Sequence, residues 1–218
     1  MKQDIKISLK PYKMAYAVLF VLLLALVRGI SRAEEIGITL EMMIPPLAIV
    51  FCADTSYQEF MEGRWEIFWL YPAGKQRMAV YRRLGVEVLF LILVSALGYG
   101  LFIVFQRPGL QEQNLLMLFG KSMGAVSVGI LFFACLSEWL VSHMHSLWGG
   151  IGVCVILWQV MISSFARMLP APLQLICYSA DGAQGDGLLW LQGKLTALGV
   201  TALLLAFHGK TGKWKGLR

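Results

Sequence analysis

The chain has 218 residues, 58% of them hydrophobic and 15% charged, with a mean hydropathy of +0.67. A soluble domain holds about 45–50% apolar and about 25% charged residues, so the composition argues against an ordinary water-soluble enzyme and makes a bilayer the expected solvent. The net charge of +6 does not mark a nucleic-acid binder, because the basic residues gather in short tails and one connection that flank apolar runs.

The N-terminal tail, residues 1–13, alternates charge with Ile5, Ile7 and Leu9, a pattern suited to a short interfacial segment before the chain turns in at Pro11. A spanning helix needs about 20 predominantly apolar residues, and six windows meet that need. They run Met14 to Ile30, Ile36 to Ala53, Leu84 to Phe105, Leu115 to Val141, Leu147 to Met168 and Leu188 to His208. The second carries Pro45–Pro46, which predicts a break there. The first is followed by Arg28 and Glu34–Glu35 rather than by a small-residue cleavage site, so it is expected to stay as a span. Once the six windows are removed, too little remains for a second core, and 1–218 reads as a single membrane domain.

Four lysines in the N-terminal tail, five basic residues between the second and third spans and four in the C-terminal tail place thirteen of the nineteen Lys and Arg on one side. That asymmetry predicts cytoplasmic termini in a multi-pass plasma-membrane protein, with a bacterial membrane as the prior. The connection before the last span holds Pro170, Pro172 and the stretch DGAQGDG from Asp181, and reads as turn-rich with a shallow re-entrant part at Leu173 to Tyr178.

The one sizeable inner connection runs from Asp54 to Arg83. Phe60, Met61, Trp65, Phe68 and Trp69 form a helical apolar stripe opposite Glu59, Glu62 and Glu66. This predicts an amphipathic helix at the inner interface that ends before Pro72, with Gly74 as a turn residue and a basic patch of Lys75, Arg77, Arg82 and Arg83 leading into the third span.

The stretch EGRWEIFWLYPAGKQR, starting at Glu62, resembles the loop between spans two and three of the membrane subunits of type-2 ABC exporters. That loop carries a Glu, a Gly, a second Glu, an apolar run ending in proline and then basic residues. Here the first Glu is followed at once by Gly63, and tryptophans replace the usual small aliphatics. The resemblance covers nearly the whole chain by layout, and about sixteen residues by motif. It implies an all-α membrane protein of six transmembrane helices, with an N-terminal interfacial helix and a cytoplasmic coupling helix between spans two and three. It further implies that Glu62, Gly63, Arg64, Trp65, Glu66, Trp69, Tyr71 and Pro72 dock on a separate ABC ATPase, which would carry the ATP and Mg, and that a second permease copy or a similar chain completes the pathway. The other reading of the same stripe is a membrane-surface helix of an accessory or assembly factor that recruits a partner without transport.

Other motifs exclude more than they assign. Gly120–Lys121–Ser122 and Gly209–Lys210–Thr211 imitate the end of a phosphate-binding loop, but Leu115 and Leu204 stand where its first glycine must be. His143 and His145 lack further ligands, Asp181 and Asp186 lack the oxygen ligands of a calcium loop, and Cys52, Cys135, Cys154 and Cys177 have no zinc spacing. The chain is therefore expected to bind no cofactor of its own, and an intramembrane enzyme is disfavoured because no catalytic constellation shares a depth. Among polar residues in the spans, Lys194 is the deepest, and Gln159, Ser163 and Ser164 join it as candidate pathway-lining groups. The cargo expected of a largely apolar interior is amphipathic or hydrophobic, such as a peptide, antibiotic or lipid. Gly120/Gly124, Gly149/Gly150 and Gly193 with Ala197 have the spacing that lets helices approach closely.

Overall fold

The computed structural model describes residues 7–55, 72–109, 115–176 and 189–211. Among them there is no β-strand, only one isolated bridge between Arg32 and Gly109. Six helices follow in order: α1 Pro11–Val27, α2 Glu34–Cys52, α3 Ala73–Gln106, α4 Leu115–Met144, α5 Leu147–Ile162 and α6 Leu189–Thr211, with short 3-10 turns at Ser164–Met168 and Ala171–Leu173 between the last two. Three of them, α2, α3 and α4, are long and apolar enough to cross a bilayer, while α1, α5 and residues 190–206 of α6 are shorter apolar helices. The protein is thus all-helical over the described residues and compatible with a membrane protein.

Helix starts follow local chemistry. Pro11 sits in the first turn of α1, where its missing N–H costs nothing. Pro72, extended at ψ 140°, caps α3, and its carbonyl accepts from the Lys75 and Gln76 amides at 2.8 and 3.2 Å. The third helix therefore begins at Ala73, eleven residues before the expected Leu84, and takes Gly74 and the basic run into its first turns. Gly74 is helical there and not a turn residue. At 34 residues α3 is about 51 Å long, well beyond a hydrocarbon core of about 30 Å. It stops at Arg107, held left-handed at φ 43°, with Pro108 next in the chain.

Two further expectations are corrected. α2 runs unbroken through Pro45 and Pro46. The fifth helix ends at Ile162 rather than Met168, because Ser163 turns extended and Pro170 then forces Leu169 out of helical geometry. The segment 164–173 forms 3-10 turns, followed by bends at residues 175–176. The interfacial N-terminal segment before residue 7, the amphipathic stretch to Tyr71 and the DGAQGDG stretch lie outside the described residues.

Successive helices alternate in direction. The start of α1 meets the end of α2, where Lys13 bonds the Phe51 carbonyl, and near the start of α3 Tyr81 donates to the Leu205 carbonyl of α6 at 2.6 Å. At the opposite end Gln106 of α3 closes the end of α1: its amide donates to the Ala25 carbonyl at 2.8 Å and its oxygen accepts from the Ile30 amide. One core cluster joins α1 to α4 through Val21, Leu40, Phe51, Leu91, Phe102 and Ile130. A second gathers Ile49, Phe133, Cys154, Ala197 and Ile176. Close approach depends on two glycines. A Cβ on Gly98 would stand 2.5 Å from Val21 Cγ1, and one on Gly150 would meet the Val141 backbone at 2.8 and 2.9 Å.

Candidate functional site

Two buried charge clusters mark the bundle, one at each end. The first is built on Lys13, which is 2% exposed rather than lying in a solvated tail. Its ammonium donates to the Phe51 carbonyl at 2.9 Å, to Asp54 Oδ1 and to Glu87 Oε1 at 3.4 Å, and stands 5.1 Å from the centre of the Phe51 ring. Thr55 bonds the other oxygen of Glu87 and the Cys52 carbonyl. The elements explain the convergence. Lys13 lies in the first turn of α1, Phe51 in the last turn of α2, Asp54 and Thr55 just past its end, and Glu87 fourteen residues into the long α3. Burial of a lysine and a glutamate is tolerated because each finds an opposite charge and further hydrogen-bond partners. The cluster sits at the root of the segment 56–71, since Asp54 and Thr55 lead into that segment and α3 receives it.

The second cluster lies near the other end. Lys194 of α6 and Glu41 of α2 form a contact of 2.5 Å, with side chains 4% and 1% exposed. Lys194 also donates to the Leu175 carbonyl at 2.9 Å. Glu41 stands one turn before the proline pair. Pro45 and Pro46 lack the N–H groups that would bond the carbonyls of Glu41 and Met42. Trp158 of α5 supplies the donor for Met42 at 3.0 Å. The Ser137 hydroxyl of α4 adds a bond to the Ile49 carbonyl at 2.8 Å farther along α2. Of the two carbonyls that the prolines leave without a helical donor, that of Met42 is thus met from a neighbouring helix.

The residues singled out in the sequence fare differently. Glu62, Gly63, Arg64, Trp65, Glu66, Trp69 and Tyr71 lie outside the described residues, and Pro72 is exposed at the start of α3. Of the pathway-lining candidates, Lys194 is buried against Glu41, whereas Gln159 and Ser164 are exposed and Ser163 is half-buried with its hydroxyl on the Val160 carbonyl. Glu41 was missed, because a single glutamate among apolar residues carries no local sign of its partner. Glu87 pairs with Lys13, far off in sequence, as well as lying four residues beyond Arg83.

Cys52, Cys135 and Cys154 are free and buried, as small apolar residues would be, and Cys177 lies outside the described residues. Gly120–Lys121–Ser122 falls inside α4, not in a loop after a strand. His143 stacks on Trp139 within the last turn of α4. No group of three metal-ligating side chains occurs among the described residues. A cavity of about 10 Å³, room for one water, is lined by Tyr81, Cys135, Glu138, Trp139 and Leu205. Comparison with family models, with curated proteins and with solved structures gives no match.

Proposed function

We propose that the chain is the membrane-spanning subunit of an ATP-driven exporter of the type-2 ABC class, with all six helices crossing a bacterial plasma membrane and both termini cytoplasmic. In this reading the segment 56–71 is the coupling helix, a separate ATPase subunit docks on Glu62, Gly63, Arg64, Trp65, Glu66, Trp69, Tyr71 and Pro72, and a second permease copy completes the pathway for an amphipathic cargo.

The observation that carries it is the Lys13 cluster. Asp54 and Thr55 precede the motif-bearing segment, and they are fastened through Lys13 and Glu87 to the helices α1 and α3. A force applied to that segment by a partner would reach three helices at once instead of being absorbed by a loose connection. The alternation of helix direction supports the placing of both termini on one side, and the basic residues of that side supply the orientation.

Affinity purification through a C-terminal tag in mild detergent, followed by mass spectrometry, tests the reading. A stoichiometric ATPase chain is the expected companion. Recovery of the chain without any ATPase, across several mild detergents, would remove the proposal.

A further inference from the structure

The connection that leaves α5 begins with a strap, residues 163–176, whose two halves are held in different ways. Leu175 and Ile176 enter the apolar cluster of Cys154, Phe133 and Ala197, so the strap's far half is packed into the bundle. Its backbone is held to α6 by Lys194, which donates to the Leu175 carbonyl at 2.9 Å, and by Thr196, whose one hydroxyl proton is shared between the Pro172 carbonyl and the Gly193 carbonyl of α6 itself. Inside the strap, the Leu173 amide bonds Pro170 at 2.8 Å, the Leu169 amide bonds Ala166 at 3.2 Å and the Gln174 amide group bonds Leu169 at 2.7 Å.

The strap is built of 3-10 turns and bends with no α-helix, which places it among the segments that open at lower cost than the α-helices it rests on. The ammonium of Lys194 has a second role, since it also meets Glu41 of α2 at 2.5 Å. At 2.5 Å the ammonium and the Glu41 carboxylate form a charge-assisted pair, and the three N–H groups of the ammonium allow it to serve the Leu175 carbonyl at the same time. A lysine pinned only to a carbonyl would be stranded as a bare charge when that carbonyl left. Here the charge stays compensated.

We propose that Lys194 is the release pin of this strap and that Glu41 holds the pin in place, so that the strap closes the Gln106 end of the bundle and can lift from it without leaving an uncompensated charge behind. The closed state is the one in the structure. In the open state Lys194 keeps Glu41 and loses Leu175, the Thr196 bond breaks, and Leu175 and Ile176 withdraw from the apolar cluster. This goes beyond the exporter reading and does not depend on it, since it concerns the end of the bundle opposite the segment 56–71.

Hydrogen exchange of the purified full chain in lipid nanodiscs tests it, read at the amides of residues 169–176 against those of α2 and α4. Lys194→Met is expected to speed strap exchange about ten-fold or more, in keeping with the loss of a hydrogen bond from a charged donor, while α2 and α4 keep their protection. Lys194→Arg keeps charge and donors and is expected to stay near the wild-type rate. Unchanged strap exchange in Lys194→Met overturns the pin. Should that variant lose protection throughout, Lys194→Met combined with Glu41→Gln decides, because it removes the pin without stranding a buried charge: faster exchange confined to the strap supports the proposal, and an unchanged rate overturns it.

Discussion

The indole N–H of Trp158 donates to the carbonyl of Met42 at 3.0 Å, and Met42 is the residue whose helical partner would have been the absent N–H of Pro46. α5 thus repairs a bond that the sequence of α2 cannot make. Trp158→Phe keeps most of the ring and removes the donor, and should destabilise the bundle by about 1 kcal/mol, the usual net worth of such a bond. Pro46→Ala restores a local donor. A double-mutant cycle read by unfolding in mixed detergent micelles is therefore expected to show coupling, with Trp158→Phe costing less in the Pro46→Ala background than alone. Additive effects would mean that the indole contributes by packing only.

Lys13 offers one positive charge to two carboxylates at the junction of α1, α2 and α3. Lys13→Met strands buried negative charge, and breaking a buried pair in this way costs about 3–5 kcal/mol. Thermal unfolding of the solubilised protein should show the largest single loss here. Adding Glu87→Gln to Lys13→Met should recover part of it, because the stranded charge is then removed. No recovery would place the importance of Lys13 in its bond to the Phe51 carbonyl instead.

The helices themselves were close to legible in the sequence, because apolar length is a local property: the fourth window begins at Leu115, where α4 does, and the second lies within two residues of α2. Errors arose where tertiary partners override local rules. Pro45–Pro46 reads as a break until Trp158 is seen to donate, and residues 73–83 read as a polar loop although a long helix continues through them. The charge clusters were the least legible. Lys13 meets Glu87 across 74 residues and Glu41 meets Lys194 across most of the chain, and nothing near either glutamate announces its lysine.

Glycines with different surroundings should respond differently to the same methyl group. Gly150→Ala drives a Cβ against the Val141 main chain, which cannot step aside as a side chain would. A loss of about 1–3 kcal/mol is expected, the range for overpacking. Gly98→Ala meets a Val21 methyl at 2.5 Å and should cost less if α1 shifts outward. Gly120→Ala meets nothing within 4 Å and should lie within about 0.5 kcal/mol of wild type in detergent. A large effect of Gly120→Ala in a native membrane extract, absent in the detergent-purified monomer, would locate a helix–helix contact with another chain on that face of α4.

In the exporter reading, the segment 56–71 serves partner docking and not the stability of the bundle. There Glu62 and Glu66 act on a neighbouring protein, so Glu62→Ala with Glu66→Ala should leave expression, membrane insertion and melting temperature as in wild type. The same double variant should lose stimulation of the partner's ATP hydrolysis, and Trp65→Ser with Trp69→Ser should reduce the ATPase recovered in the purified complex. Lys13→Met is the informative companion, because it touches no partner yet loosens the anchorage of Asp54 beside that segment. It should lower stability and coupling together, whereas the glutamate pair lowers coupling alone. Wild-type coupling in the Glu62/Glu66 double variant would remove those two residues from the interface even where an ATPase co-purifies.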